Sequence, residues 1–392
     1  MDVDLLDGEF YARDPYPVFA WMRREAPAYF DEHNGLWGIS RHADVKAIGR
    51  DPDRFSSAGG SRPDTGALPF MIDMDAPEHR RRRRLVSEGF TPAAVRDATP
   101  WLERICDEII DAVCEKGECD LVTDVAAPLP LIVIADMLGF PPEDRGLLLE
   151  WSDTLLLSQS GAPEALARAT DAFVQWKGYI SERMAERRAS GETGDLVGTL
   201  VHAEVDGERL DDDAVVHELL LILIGGDETT RHVISGGMEA LLQHPEQFAA
   251  LRDDPDLIPG AVEEMLRWVS PIKNMNRTAT CDVELHGRTI RRGDKVLLLY
   301  PAANRDETVF VDPDTFDIRR HPNDHLAFGF GAHLCLGNRL ARAELTAMVG
   351  RLVHRLPDLA LARDGNPRRP SYFISGLESL PVTFSPSAPH TR

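Results

Sequence analysis

The five cysteines of this 392-residue chain, Cys106, Cys114, Cys119, Cys281 and Cys335, show no C-x-x-C spacing and no disulfide framework. That excludes a zinc or iron–sulfur site built from spaced thiolates and suits a reducing cytoplasm. Long hydrophobic runs are missing too: the longest, Leu219 to Ile224, is far too short to span a bilayer. The N-terminal stretch MDVDLLDGEFYARDPYPVF is acidic and broken by proline, unlike a leader peptide or a membrane anchor. Positive charge is scarce, with 43 Lys and Arg against 65 Asp and Glu, a net charge of −22 and a pI near 5.0. Such a balance argues against nucleic acid as a partner. There is no internal repeat and no low-complexity linker, so one large domain over residues 1–392 is expected although the length would allow more.

What is present is an ordinary globular composition, 43% apolar and 28% charged. A short helix is expected over Val18 to Glu25. A hairpin follows, with Ala28–Phe30 and Leu36–Ile39 flanking the turn residues His33-Asn34-Gly35. From Ala93 to Leu200 the pattern is helical, with breaks at Pro128–Pro130, Pro141-Pro142 and Gly161–Pro163. Strand-rich patches cover Val283 to Leu299 and Tyr372 to Phe384. The pattern predicts a mainly α architecture with small β-sheets.

The stretch Phe328-Gly329-Phe330-Gly331-Ala332-His333-Leu334-Cys335-Leu336-Gly337 carries the most chemistry. Gly329 and Gly331 can adopt backbone angles closed to other residues, letting the chain lie flat against a planar ligand. Helical spacing begins near Leu336, which would put Cys335 at a helix N-terminus where the dipole favours thiolate. A thiolate open to a flat cavity is what haem iron needs as an axial ligand. A lone cysteine is by itself more often a small core hydrophobe; the flanking F-G-F-G-x-H-x-C-x-G argues otherwise. It resembles the haem-binding loop of the cytochromes P-450.

A second segment breaks its own rules. Asp211–Asp213 can cap a helix running through Leu219–Ile224 to Leu242, yet its middle reads Gly225-Gly226-Asp227-Glu228-Thr229-Thr230. Glycine costs a helix about 1 kcal/mol against alanine, and the Thr229 hydroxyl can compete for a carbonyl and open the helix locally. Taken alone, these polar residues could equally form a solvated stripe. They resemble the P-450 oxygen-activation motif, which implies that Thr229 bonds dioxygen and steers protons while Glu228 relays them from solvent. An acid next to a hydroxyl suits a two-step relay.

The resemblance extends to the supports. Glu264 and Arg267, at i and i+3 on a helix from about Pro259, look like the family's buried pair that braces the cysteine loop. Its usual third partner is an arginine, which Thr315 replaces here; Arg319 is the expected substitute. Asp75-Ala76-Pro77-Glu78-His79 with Arg83 matches the family's propionate-binding stretch, and Arg277 and His333 stand where it supplies further donors. Phe328, Gly329 and Cys335 complete the haem-binding set, with Cys335 as the iron ligand. The implied cofactor is haem b, with O2 as co-substrate. No G-x-G-x-x-G follows a strand and no flavin or nicotinamide domain is visible, so electrons would come from NAD(P)H through a ferredoxin reductase and a ferredoxin. The basic run Arg80–Arg84, extended by Arg339 and Arg342, would steer that ferredoxin to the proximal face. The protein is expected to be a monomer with no membrane span.

Almost the whole chain looks like the actinobacterial steroid C26-monooxygenases, through Ala67–Asp75, Ile109–Glu115, Leu219–His232, Pro271–Met275 and Phe373–Ser379. Leu68, Phe70, Met71, Ile222, Gly225, Met275 and Ile374 are the candidate pocket residues, each equally readable as plain core. The lid pattern at Ser158–Ala162 is less familiar. The implied reaction is hydroxylation of the terminal side-chain methyl of cholesterol or cholest-4-en-3-one. Alternatives are a hydroxylase of another lipophile such as a fatty acid, a terpenoid or a secondary metabolite, a peroxygenase, and a non-catalytic haem module. The Glu228–Thr229 pair disfavours the last two.

Overall fold

A computed structural model describes residues 1–157, 163–204, 207–374 and 376–390. The lid residues Ser158–Ala162, and with them most of the expected break at Gly161–Pro163, lie outside the described residues.

The expected hairpin forms as β1 (Ala28–Asp31) and β2 (Leu36–Ile39), with Ala28 opposite Ile39 and Gly35 at φ +63° in the turn. With β3 (Phe55–Ser56), β4 (Asn274–Ala279) and β5 (Lys295–Leu299) these strands make one sheet in the order β1-β2-β5-β4-β3. β2 and β5 pair in parallel and the other neighbours antiparallel. The sheet therefore ties the N-terminal segment to a stretch more than 200 residues away. Val283–Leu285 and Arg288–Ile290 form their own small hairpin. Among the described residues of the patch expected over Tyr372 to Phe384, Pro381–Thr383 is strand, paired with Glu118–Asp120 and Ala360–Leu361, and Ile374 and Leu377 form isolated bridges.

The helices that frame the site are α1 (Glu78–Val86), α2 (Pro92–Asp111), α3 (Pro128–Met137), α4 (Arg145–Leu157), α5 (Pro163–Ser190), α6 (Leu196–His202), α7 (Asp212–Leu242), α8 (Ile258–Val269) and α9 (Asn338–Arg355). Pro128 opens α3 where a break was expected, because a proline at the first helical position gives up only an N–H that has no partner there. The strand Glu118–Asp120 and a wide helical turn at Leu121–Ala126 interrupt the stretch expected to be continuously helical. α8 buries Ala261, Val262, Met265 and Leu266 and stops at Ser270, whose φ of 45° ends the helix in the left-handed region.

α7 is the central element. The Asp211 carboxylate accepts the Ala214 N–H at 2.7 Å, and Asp212 and Asp213 sit favourably in the first turn. Thirty-one residues give a helix about 46 Å long. Its first half, Ala214 to Leu223, belongs to a core with Leu85, Ile134 and Trp176; its second, from Val233, belongs to another with Ile110, Leu129 and Leu345. Between the two lies Gly225–Thr230. No helix among the described residues is long and apolar enough to cross a membrane.

Candidate functional site

One cavity of about 250 Å³ opens where the two cores meet. Its wall includes Met71, Ile134, Ile222, Gly225, Thr229 and Cys335. Gly225 has open space where a Cβ would project, so an α-helix here presents bare backbone to the cavity.

The cysteine loop is shaped by close approach. Gly331 has φ +78°, and a Cβ there would stand 1.9 Å from the Gly49 carbonyl oxygen; Gly329 has φ +69°. The Cys335 N–H donates to the Phe328 carbonyl at 2.9 Å and closes the loop. α9 begins at Asn338, with Gly337 as its cap, three residues beyond Cys335 and two beyond the expected start. The Cys335 thiol is therefore held up by burial, and what favours the thiolate is a hydrogen bond from the Gly337 N–H followed by Arg83 and Arg342.

Beside the loop, cations and rings crowd together. His79 and His333 lie 4.0 Å apart between ring centres. Burial, with Arg277, His79 and Arg83 nearby, pushes His333 down to about 3, and burial also lowers His79. Arg277 is buried and donates to the Asn276 carbonyl at 2.8 Å; Arg83 donates to the Leu334 carbonyl at 2.5 Å. Among the described residues neither arginine has a carboxylate partner. A buried cation such as Arg277 is normally paired, so this corner of the cavity suits an anion.

On α7, the Thr229 hydroxyl donates to the Gly225 carbonyl at 2.9 Å and the helix runs unbroken, without the local opening expected. Glu228 is fully buried and lies outside the cavity wall. It pairs with Arg231, with His232 at 3.0 Å and with Arg369 at 3.5 Å, and the Arg369 side chain is 41% exposed. Glu228 is thus linked toward solvent through Arg369.

The brace is more elaborate than expected. Arg267 grips Glu264 with two bonds of 2.7 Å and donates to the carbonyls of Asn304, Pro313 and Thr315. The third partner is Arg320, not Arg319: Arg320 Nε lies 3.1 Å from Glu264 Oε2, while Arg319 is exposed. Thr315 serves through its carbonyl, which accepts from both arginines. Glu263 extends the brace to the cysteine loop, taking bonds from Arg342 and His325.

Of the candidate pocket residues, Met71, Ile222, Gly225 and Met275 line the cavity. Leu68, Phe70 and Ile374 do not, which corrects that expectation. Phe70 packs on His217, with ring centres 5.9 Å apart. Leu68 is 41% exposed, and Ile374 is buried with its backbone bridged to Ile272, which does line the wall. The arginine run also divides: Arg82 is 14% exposed and points inward to Glu218, leaving Arg80, Arg84 and Arg339 as the exposed cations of the expected docking face. Val133, Tyr300 and Glu344 line the cavity without having been singled out. Val133 and Tyr300 look like core in any pattern; Glu344 carries the one signal, an acid inside the apolar face of α9.

A family model described as Cytochrome P450 matches residues 151–368. The chain belongs to the cytochrome P450 family. It is 53% identical over 393 residues to the steroid C26-monooxygenase of Mycobacterium tuberculosis, covering 99% of this chain and 98% of that protein. It is 40% identical over 404 residues to a methyl-branched lipid omega-hydroxylase of Mycobacterium bovis, covering 98% and 92%. Cytochrome P450 CYP109Q5 from Chondromyces apiculatus superimposes with a TM-score of 0.90 at 36% identity, over 99% of each chain. As a P450 this protein is a monooxygenase of the haem-thiolate class with O2 as co-substrate. The cavity fits a haem on its own features: a cysteine sulfur at the wall, bare backbone at Gly225, an apolar lining, and the cations Arg83 and Arg277, which have no carboxylate partner among the described residues, for two propionates.

Proposed function

We propose that this P450 hydroxylates the terminal side-chain methyl of cholesterol or cholest-4-en-3-one, with electrons delivered by a ferredoxin. One observation carries the site reading: Cys335 and Thr229, from elements more than 100 residues apart, line the same apolar cavity. The steroid reading rests on the 53% identity, over nearly the full length, to a protein of that activity. The apolar wall of Met71, Ile222 and Met275 suits a long lipophile held by shape.

In this reading Cys335 would hold the haem iron through its sulfur, and Arg83, Arg277, His79 and His333 would hold the propionates, with Phe328 and Gly329 shaping the loop. Haem, when bound, supplies the iron centre at which O2 is activated and one oxygen atom is inserted into a C–H bond. The remaining work falls to the chain. Thr229 presents a hydroxyl at the cavity wall, able to donate toward the cavity once its bond to the Gly225 carbonyl is released. Glu228 holds a proton-exchanging carboxyl paired with the solvent-reaching Arg369. Met71, Ile222 and Met275 exclude water from the reacting carbon. Arg80, Arg84 and Arg339 offer an acidic ferredoxin a basic face on an otherwise acidic molecule.

A spectral titration of the haem-loaded protein with cholest-4-en-3-one, a fatty acid and a macrolide tests the substrate class. A low-spin to high-spin shift with the steroid alone is expected. A shift with the fatty acid and none with the steroid would transfer the reading to an open-chain lipid.

A further inference from the structure

Glu218 is out of place. It sits in α7 between Val215-Val216 and the apolar run Leu219–Ile224, fully buried, one helical turn before the wall residue Ile222. Burial pushes its carboxyl up to about 7, against the pull of Arg82. Its Oε1 accepts two donors, the Met71 N–H at 2.9 Å and Arg82 Nη1 at 3.1 Å; Oε2 is buried without a hydrogen-bond partner among the described residues. Arg82 also reaches Glu78 at 2.9 Å and the Pro69 carbonyl at 3.1 Å.

These bonds converge on one segment. Met71–Asp73 is a single tight turn whose first residue lines the cavity. Asp73 ties its far end, accepting the N–H groups of Ser61 and Leu68 at 2.7 and 2.8 Å. Those bonds shape the loop internally, whereas Glu218 bonds it to α7 directly and, through Arg82, to α1. We propose that Glu218 is a positioning residue for substrate, pinning the Met71 backbone so that Met71 and Ile72 form a fixed part of the cavity wall. The substrate used in the test rests on the steroid reading; the tether does not.

The tether is sensitive to pH in a defined direction. Opening the wall admits water to Glu218 and returns its carboxyl toward the ordinary value of 4.5. Closing then takes up a proton, so the closed wall is most favoured below pH 4.5 and loses that advantage as pH rises from there through about 7. The charged groups nearest Glu218 are Arg82 and Glu78 on α1. The adjacent His217 turns outward, bonding the Asp213 carbonyl at 2.6 Å and stacking on Phe70 and Phe173. Lys177 of α5 is engaged with Asp213 at 2.7 Å.

The test compares haem-loaded wild type, Glu218→Gln and Glu218→Leu by cholest-4-en-3-one titration at pH 6 and pH 8.5. Hydrogen exchange of the peptide carrying Met71, measured without ligand, is the second readout. Wild type is expected to lose affinity about tenfold between the two pH values. Glu218→Gln keeps an acceptor for Met71 without the charge, and is expected to bind equally at both, at least as tightly as wild type does at pH 6. Glu218→Leu suits the buried site but accepts nothing; it is expected to bind about tenfold more weakly at pH 6 and to exchange the Met71 amide faster. Wild-type affinity and exchange in the leucine variant, or a wild-type pH slope in the glutamine variant, would overturn the proposal. If no form binds the steroid but the exchange pattern appears, the steroid reading falls and the tether stands.

Discussion

Glu264 is held from two sides, by Arg267 through two short bonds and by Arg320 through two longer ones, and it also accepts from the Asp317 N–H and Asn323. Removing one cation from a buried carboxylate exposes the cost of burying the other charge. Arg320→Met is therefore expected to destabilise the holoprotein by about 3–5 kcal/mol, while the exposed Arg319→Met changes it by less than about 0.5 kcal/mol. Urea unfolding followed at the haem absorbance separates the two. Glu264 and Arg267 were legible because helical spacing fixes their geometry. Arg320 was not, since the irregular segment Pro313–Arg320 carries no period from which to read direction. Thr229 gives a second residue-scale prediction: Thr229→Ala is expected to bind steroid normally but divert reducing equivalents to free hydrogen peroxide. Unchanged coupling of NAD(P)H use to product would remove Thr229 from proton handling.

At the scale of the element, α7 was readable at both ends and in the middle. Its Asp211 cap, apolar run and Gly-Gly-Asp-Glu-Thr-Thr segment all stand where the pattern put them, although the helix runs through that segment without opening. What the pattern did not convey is facing. Successive helix residues turn by about 100°, so with Thr229 on the cavity Glu228 turns away, into its pairs with His232 and Arg369. Which half of α7 each core covers also depends on tertiary packing alone. Gly225 offers a test of the helix itself. A Cβ there meets nothing within 4 Å. Gly225→Ala is therefore expected to stabilise the protein by about 1 kcal/mol through helix propensity. Its methyl would narrow the cavity, so steroid affinity should fall while thermal stability rises. A fall in both would mean that the helix is strained at this position.

The whole molecule carries a net charge of −22, yet its acids do not respond to pH alike. Glu263, bonded to His325 and Arg342, is held down at about 2. Its contribution is complete above the ordinary value of 4.5 and is lost as pH falls from there toward 2. Glu218 has the opposite sign, since its raised value makes burial easiest below 4.5 and more costly as pH climbs to 7. Glu263→Gln is expected to lower the urea midpoint at pH 7 and to match wild type more closely at pH 3. An equal deficit at both pH values would mean that the pair of Glu263 with Arg342 is not ionic in effect. The single large domain was legible from the absence of repeats and linkers, and the fold bears it out by pairing β2 with β5 across the chain. The wall of the cavity was only partly legible: Met71 and Ile222 line it, whereas Leu68 and Phe70, close to Met71 in sequence, do not. Apolar character marks burial, and burial does not distinguish core from pocket.

Terminal-methyl hydroxylation of a steroid side chain at the site around Cys335 is decided by turnover of cholest-4-en-3-one with NAD(P)H, a ferredoxin reductase and a ferredoxin under labelled O2. The expected result is a product bearing one labelled oxygen on the terminal side-chain carbon, formed by wild type and absent with Cys335→Ala. Label on the ring system, no oxygenated product, or equal product from the Cys335 variant would contradict it.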